Sequence, residues 1–194
     1  MRLLIVAPPG AGKGTQASLL AAHYGITHLS SGELFRKAVA AGTPIGVEAA
    51  GYLDRGDLVP DRLVLEMLAG PILEAVAHGG YILDGFPRNV AQAEEAYRVA
   101  SRLAGVELQA VIHLEVERDE LVRRLLERAR TGDRSDDTQE VIEHRLEVYE
   151  HETAPMLEFY SSRGLVVDIP GDQPVDDVFR SIVLAVDELR NGLA

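Results

Sequence analysis

A lysine and a threonine stand in a glycine-rich segment that directly follows a short apolar run. Residues 3–6 are all apolar, and residues 7–12 (Ala-Pro-Pro-Gly-Ala-Gly) neither extend a strand nor start a helix. An amphipathic segment then begins, so the order is strand, turn and helix. Backbone N–H groups in such a turn, with the positive end of the helix dipole, form a cradle for an anion, and glycine lets the backbone approach it. The pattern predicts a phosphate loop made of Gly10, Ala11, Gly12, Lys13, Gly14 and Thr15.

This loop departs from the general pattern Gly-x-x-x-x-Gly-Lys-[Ser/Thr] at two positions. Ala7 takes the first glycine position, and Gly14 separates Lys13 from the hydroxyl of Thr15. An alanine with positive φ would cost roughly 1–2 kcal/mol. We expect ordinary β geometry at Ala7, because it lies at the end of a strand, and alanine then costs little. The alternative, a chance glycine-rich turn, does not account for the order of strand, turn, lysine and helix.

Asp84 ends a second apolar run, residues 81–83, and the segment Gly-Phe-Pro-Arg88 follows it. In an open α/β sheet, ligands bind at the carboxyl ends of the strands, where this carboxylate would lie. Asp84 either caps the turn or holds Mg²⁺, directly or through water, beside phosphates on the loop. Its place at a strand end in a phosphate-loop fold favours the metal. Arg88 is aimed from the same edge by the rigid segment before it, the alternative being a surface arginine.

Arginine supplies nearly all of the positive charge. The chain has 19 lysines and arginines, of which only Lys13 and Lys37 are lysines. Planar guanidinium groups bind two phosphoryl oxygens at once. By spacing alone the other arginines are weak candidates, since helical arginines usually pair with glutamates or face solvent: Arg36, Arg124, Arg128, Arg134 and Arg145. The sequence has no histidine pair at i,i+4 and no evident nucleophile beside a base. Phosphoryl transfer needs neither, because positioning and charge neutralisation carry it.

Apolar runs alternate with amphipathic helical segments along the chain, and this alternation predicts a doubly wound parallel sheet of five strands. Ser30 and Glu33 form a capping-box pattern that starts a helix. The turn at 42–44 ends that helix, another helix covers roughly 45–54, and a connector follows at 56–60. The small helical unit over residues 30–59 is thus bounded by turns and could swing as a body. The predicted strands cover residues 3–6, 28–29, 81–84, 108–114 and 165–169.

Length and composition indicate one globular domain of 194 residues, 46% hydrophobic and 26% charged. No apolar run reaches the ~18 residues of a transmembrane helix, and the first residues do not resemble a secretory signal. We therefore expect a cytoplasmic protein with no membrane partner. The net charge of −12 argues against a nucleic-acid partner. The absence of cysteine from the sequence excludes disulfides and thiolate zinc sites.

Several segments together resemble the adenylate kinases, from residue 1 to about residue 175. The phosphate loop resembles theirs in its Lys-Gly-Thr order. Four further segments complete the resemblance: residues 30–36 (Ser-Ser-Gly-Glu-Leu-Phe-Arg), residues 56–60 (Gly-Asp-Leu-Val-Pro), residues 84–88 with Gln92, and residues 134–138 (Arg-Ser-Asp-Asp-Thr) with Arg145. The resemblance implies an α/β P-loop fold with a core formed by residues 1–29, 60–126 and 138–194, a small helical AMP-binding insert at 30–59 and a short lid at 127–137.

The resemblance also implies a reaction, the reversible Mg²⁺-dependent transfer ATP + AMP = 2 ADP. ATP would be bound by residues 10–15, Arg124, Arg128 and the backbone near Gln173, with Mg²⁺ held by Asp84 through water. The catalytic charges would be those of Lys13, Arg88, Arg128, Arg134 and Arg145. AMP would be bound, with Arg88 on its phosphate and Gln92 on its adenine edge, by Ser31, Arg36, Asp57, Leu58, Val59, Gly85, Phe86, Pro87, Arg88, Gln92, Arg134 and Arg145.

Two alternatives to this reaction stay open. Asn89 after Arg88 also occurs in the related uridylate–cytidylate kinases, so a pyrimidine nucleoside monophosphate kinase is one alternative. Those kinases lack a glutamine at the position of Gln92 and usually carry alanine where Ser31 stands, which favours AMP. A catalytically weak adenine-nucleotide sensor is the other, because of Ala7. The short lid implies that no zinc is bound, and we expect a monomer that binds ATP and AMP.

Overall fold

The computed structural model describes residues 1–102, 105–131 and 138–192, and a five-stranded sheet organises them. Its strand order is β2-β3-β1-β4-β5, and every pairing is parallel. The doubly wound parallel sheet predicted from the sequence is confirmed. The strands are β1 (Arg2–Val6), β2 (Thr27–Ser30), β3 (Tyr81–Asp84), β4 (Ala110–Glu115) and β5 (Val166–Pro170).

Helices connect the strands, as the alternation of segments predicts. Most predicted bounds agree with the structure within a few residues. The long helix expected after Thr138 is interrupted before Pro155 by a π-helical turn, Tyr149–Thr153. The helices are α1 (Lys13–Tyr24), α2 (Ser31–Ala40), α3 (Pro44–Arg55), α4 (Asp61–Ala77), α5 (Val90–Ala100), α6 (Arg118–Thr131), α7 (Gln139–Val148), α8 (Met156–Ser161) and α9 (Val175–Gly192). None of these described helices combines the length and apolar character needed to cross a membrane.

The sheet is buried on both faces, which is why its strands are continuous apolar runs. Leu3 and Ile5 of β1 belong to one buried cluster, which includes residues of α1 and α9. Leu4 and Val6, on the opposite face, belong to a second cluster, which includes residues of α4, α5 and α8. Strand β1 is central, with β3 on one side and β4 on the other, so connections leave it in opposite directions. A crevice opens at the carboxyl ends of strands in that arrangement.

The helical unit predicted at 30–59 consists of α2 and α3. Phe35 of α2 and Ala49 of α3 are buried in a third cluster together with residues of α4. At the start of α2, Ser30 Oγ accepts a hydrogen bond from the Glu33 N–H at 3.4 Å, which confirms half of the capping box. The Glu33 carboxylate instead pairs with Lys37 at 2.8 Å, one turn along the helix. The movement of this unit as a separate body stays a prediction.

Candidate active site

A cavity of about 440 Å³ opens at the carboxyl ends of β1 and β3. Parallel register brings these ends together, because Asp84 pairs with Ile5 of β1 and with Ser30 of β2. Helices α2, α3, α6 and α7 contribute the other walls. Of the residues predicted for the site, the cavity is lined by Gly10, Gly12, Lys13, Gly14, Thr15, Arg36, Asp57, Leu58, Asp84, Gly85, Pro87, Arg88, Arg124, Arg128 and Arg145.

The phosphate loop has the backbone geometry that its glycines permit. Gly10 has φ +88° and Gly12 has φ +87°, and a Cβ on Gly10 would lie 2.9 Å from Leu125 Cγ. Gly12 is the N-cap of α1, and no side chain among the described residues caps the helix there. The first N–H groups of α1 are therefore suited to binding an anion. Ala7 is buried and is not among the residues with positive φ, so the expectation of ordinary geometry there is confirmed.

Asp84 lies beside this loop and is 7% exposed. A Cβ on Gly14 would lie 3.8 Å from Asp84 Oδ2. Burial alone would raise the pKa of Asp84, but neighbouring His28, Lys13 and Arg88 together hold the pKa below its usual value. The carboxyl group is therefore ionised at neutral pH, as a metal ligand must be.

The surroundings of Asp84 fit a hydrated Mg²⁺ ion. His28 Nε2 lies 3.8 Å from Asp84 Oδ2, and it is buried without a hydrogen-bond partner among the described residues. A buried polar atom without a partner is costly, and a water molecule between the two side chains would satisfy it. Mg²⁺ usually retains several waters and takes only one or two carboxylates. Thr15 supplies a hydroxyl in the same cavity.

Arg88 is held by hydrogen bonds at its side chain and at its backbone. Its Nε donates to the Gly85 carbonyl oxygen at 2.7 Å, and Ser31 Oγ donates to the same oxygen at 2.7 Å. Thr153 Oγ1 donates to the Arg88 carbonyl oxygen at 2.8 Å. These contacts fix the guanidinium group at the cavity wall.

Positive charge is concentrated around this guanidinium group. Burial lowers the pKa of Arg88; Asp84 opposes that effect, whereas Arg145 and Arg36 add to it. Guanidinium groups that repel one another in a partly buried site gain stability when an anion joins them. The arrangement is therefore suited to a phosphate group.

Gln92 lies beside Arg88 and is 5% exposed. Its Oε1 accepts from the Arg88 N–H at 2.7 Å, and its Nε2 donates to Asp61 Oδ1. A small second cavity next to the first is lined by Gln92, Ser31, Val59 and other residues, mostly apolar. Its volume is about 20 Å³, so a flat ring would reach those apolar walls only if the cavity widened.

Arg124 connects α6 to the segment that follows β5. Its Nε donates to Glu120 Oε1 at 2.6 Å, and its Nη1 donates to the Gly171 carbonyl oxygen at 3.2 Å. Gln173, two residues further on, is exposed and is not among the residues lining the cavity. The arginine and the 171–173 segment are thus neighbours, as expected if both border one nucleotide.

Asp57 links the helical insert to α7. Its carboxylate pairs with His144 Nε2 at 2.8 Å and with Arg55 Nε at 2.7 Å. The hydrogen bonds from His144 and then Arg55 hold the pKa of Asp57 below its usual value. Gly56 lies close to the same helix, since a Cβ there would be 2.8 Å from Arg145 Cγ.

Seven of the predicted site residues lie away from the main cavity or have no description. Ser31, Val59 and Gln92 line the second cavity instead. Ala11 and Phe86 are buried at 4% and 5% exposure, and Phe86 packs in the cluster of the insert. Gln173 is exposed, as noted above. Arg134 lies outside the described residues, as does most of the predicted lid, residues 132–137.

Sequence reasoning missed several residues at this site. His28, Asp61, His144 and Thr153 act on Asp84, Gln92, Asp57 and Arg88 respectively. Of these four residues, only His28 could have been predicted from the sequence. It precedes Ser30, which lines the cavity, by two residues, and side chains two residues apart in a strand lie on the same face. In addition, ligand-type atoms of His113, Glu115 and Asp168 lie within 4.8 Å of one another, although no histidine spacing predicted such a group.

Comparisons with known proteins identify relatives over nearly the full chain. A family model described as adenylate kinase matches residues 5–165. An adenylate kinase of Thermobifida fusca is 47% identical over 186 residues, which cover 96% of this chain and 98% of the relative. One from a Nocardioides species is 48% identical, covering 96% and 97%. One from Prochlorococcus marinus is 48% identical, covering 93% and 94%.

Proposed function

Because this chain belongs to the adenylate kinase family, we propose that its large cleft holds ATP and AMP with their phosphates facing each other. The chain is a nucleoside monophosphate kinase, and its reaction is ATP + AMP = 2 ADP. An AMP phosphate oxygen attacks the γ-phosphorus of ATP, and the bond to the β,γ-bridging oxygen breaks. The observation that carries the proposal is the meeting of the phosphate loop, Asp84 and five arginines in one cavity.

ATP binds on the side of the phosphate loop. Residues 10–15 wrap the β- and γ-phosphates with backbone N–H groups. The Lys13 ammonium group stays in contact with the γ-phosphoryl group as it is transferred. Arg124 and Arg128, which line the same cavity, lie along the phosphates. The backbone near Gln173 meets the adenine ring, and the hydrogen bond from Arg124 to the Gly171 carbonyl supports this.

AMP binds between the insert and the start of α5. Arg88 and Arg36 hold its phosphate, while Asp57, Leu58 and Val59 border its ribose and base. Gln92 binds the adenine edge. The support for this side is the apolar lining beside Gln92, where a cavity of about 20 Å³ would have to widen to admit a base. The hydroxyl of Ser31 and the segment Gly85, Phe86 and Pro87 complete the AMP site.

Catalysis rests on charge neutralisation and alignment. Lys13, Arg88, Arg128, Arg134 and Arg145 oppose the negative charge that two nucleotides bring together, and no proton needs to be moved by a nucleophile–base pair. Arginine forks also fix the direction of the attacking oxygen. Burial lowers the pKa of Arg88, and Arg145 and Arg36 add to that effect; the repulsion between these guanidinium groups is relieved when the phosphates bind.

Asp84 and Thr15 are the residues that would hold Mg²⁺ with ATP, Asp84 through water. Mg²⁺ supplies charge neutralisation of the phosphates. This role is supported by the lowered pKa of Asp84 and by His28 Nε2, which lies 3.8 Å from Asp84 Oδ2 and has no hydrogen-bond partner among the described residues. We propose that no zinc is bound, since the sequence has no cysteine for the usual thiolate ligands.

We propose three functional parts of the chain. Residues 1–29, 60–126 and 138–194 form the core, residues 30–59 the AMP-binding insert and residues 127–137 the short lid. Closing the insert and the lid over the nucleotides excludes water, which prevents transfer of the phosphoryl group to water. We further propose that the protein is a cytoplasmic monomer without nucleic-acid or membrane partners, supported by its net charge of −12.

One assay tests the proposal. Purified protein is mixed with Mg²⁺, ATP and either AMP, CMP, UMP or GMP, and the diphosphates formed are counted. We expect AMP to give the fastest turnover, and ADP alone to give ATP and AMP. Faster turnover with CMP or UMP would show a pyrimidine nucleotide kinase, and binding without turnover would show a sensor. Nothing in the comparisons favours either alternative.

A further inference from the structure

The carboxamide of Gln92 is held from both ends by the protein. At one end, Oε1 accepts from the backbone N–H of Arg88 at 2.7 Å. At the other end, Nε2 donates to the Asp61 carboxylate, 31 residues away in sequence. The Gln92 backbone N–H donates to Asn89 Oδ1 at 2.8 Å, at the start of α5. The side chain is almost completely buried.

These two neighbours leave only one orientation of the amide. A backbone N–H can only donate, and a carboxylate can only accept. If the amide turned over, its NH₂ group would face the Arg88 N–H and its oxygen would face the Asp61 carboxylate. Amide orientation is usually ambiguous because the two ends have the same shape. Here the hydrogen-bonding roles of the two neighbours decide it.

The fixed amide retains one donor and one acceptor for a ligand. An amide oxygen accepts two hydrogen bonds and an NH₂ group donates two, and the described residues use one of each. Adenine offers an amino group next to a ring nitrogen, which is a donor beside an acceptor. A 6-oxo purine such as guanine or hypoxanthine places an acceptor where adenine has its amino group. That oxygen would face Oε1 of Gln92 unless the amide turned over.

We propose that Asp61 is a positioning residue that selects the base of the acceptor nucleotide by preventing Gln92 from turning over. The inference rests on the proposed contact of Gln92 with the base of AMP. Asp61 is the first residue of α4, where the helix dipole favours a negative charge. It follows the 56–60 connector directly, so the carboxylate that fixes the amide adjoins the segment proposed to border the base. Sequence motifs gave no sign of this role.

The test uses Asp61→Ala, Gln92→Ala and the double variant, with Glu66→Ala as the control. Glu66 is an exposed acid on the same helix, and its carboxylate lies 3.7 Å from Arg62. Steady-state kinetics give kcat and KM for ATP, AMP and inosine monophosphate (IMP). For Asp61→Ala we expect the KM for AMP to rise about tenfold, the scale of one hydrogen bond to a charged group. The KM for ATP should change less than about twofold, and Glu66→Ala should match the wild type.

The preference for AMP over IMP, as the ratio of kcat/KM values, distinguishes selection from structural support. Asp61→Ala should lower this ratio about tenfold, because a turned amide costs less without the carboxylate. Asp61→Asn has the same size, and its oxygen can still accept from Gln92, so the KM for AMP should return towards the wild-type value. Its amide can also donate to a turned Gln92, so the ratio should stay below that of the wild type.

A double-mutant cycle separates failure of this inference from failure of the proposed contact. If Asp61 acts through Gln92, Asp61→Ala should have no further effect on the ratio in the Gln92→Ala background. Equal effects of Asp61→Ala in both backgrounds, or an unchanged AMP:IMP ratio in Asp61→Asn, would overturn the inference alone. If Gln92→Ala leaves the KM for AMP and the ratio unchanged, the proposed contact with the base fails, and this inference fails with it.

Discussion

Gly85→Ala is the sharpest perturbation of the proposed AMP site, because Gly85 is bonded to two of its residues. Its carbonyl oxygen accepts from Ser31 Oγ and from Arg88 Nε, both at 2.7 Å. Its φ is +85°, and a Cβ would lie 2.6 Å from Ser31 Oγ and 3.0 Å from Arg88 Nη2. Alanine therefore adds backbone strain and also displaces both side chains.

A matched control, Gly164→Ala, separates these two costs. Gly164 has φ +67°, and a Cβ there would meet no atom of the described residues within 4 Å, so alanine adds strain alone. That strain is about 1–2 kcal/mol and is shared by both variants. Loss of a neutral hydrogen bond costs about 0.5–1.5 kcal/mol, and loss of one from a charged group costs about 1.5–3 kcal/mol. We therefore expect Gly85→Ala to lower the free energy of unfolding by about 2–4 kcal/mol more than Gly164→Ala does.

Urea unfolding and steady-state kinetics check this expectation. The KM for AMP should rise more than about tenfold in Gly85→Ala, because displaced Ser31 and Arg88 no longer bind AMP well. The KM for ATP should stay within about twofold of wild type, and Gly164→Ala should have wild-type kinetics. Equal destabilisation of the two variants, together with an unchanged KM for AMP, would refute the assignment of Gly85 to the AMP site.

Three further predictions concern charge and metal. Arg88→Ala should lower kcat about 10³–10⁵-fold, while Arg98→Ala, which removes an exposed arginine paired with Glu95, should not; near-normal turnover would remove Arg88 from the site. The lowered pKa of Asp57 stabilises the fold above the usual carboxyl pKa of about 4, and this stabilisation is lost as pH falls through the lowered folded-state value. Asp57→Asn should remove that part of the acid slope of unfolding free energy, and an unchanged slope would contradict the pairing with His144. Metal analysis of the purified protein should find no zinc, and one zinc per chain would refute the short-lid interpretation.

The sequence predicted the sheet and the phosphate loop because their signals are local. Apolar runs, a glycine-rich turn and the start of a helix are all read within about fifteen residues of Leu3. Asp84 followed from the same logic, since a strand that ends in a carboxylate carries it to the ligand edge of a parallel sheet. The structure confirms that these groups share one cavity.

The partners of the site residues could not be predicted, because packing brings them together from distant parts of the chain. Thr153 reaches the Arg88 carbonyl across 65 residues, and His144 reaches Asp57 across 87. The π-helical turn Tyr149–Thr153 sets the position of Thr153. The periodicity of hydrophobic residues in the sequence does not predict such a turn. A contact of this kind depends on how helices pack against the sheet, which residue types alone do not determine.

The proposed ATP and AMP sides of the cleft therefore differ in how far they can be predicted from the sequence. Backbone N–H groups bind an anion where consecutive residues share one turn, so the phosphate loop on the proposed ATP side is a contiguous motif. In the proposed site, side chains bind the second nucleotide, and Arg36, Arg88 and Arg145 can come from three separate regions of the chain as long as their guanidinium groups converge. Spacing in the sequence does not constrain that convergence, which explains why Arg36 and Arg145 are weak candidates individually, whereas Arg88 follows a local signal, the segment Gly-Phe-Pro. Burial lowers the pKa of Arg88, and repulsion from Arg145 and Arg36 lowers it further, so a bound phosphate would stabilise the charged guanidinium groups.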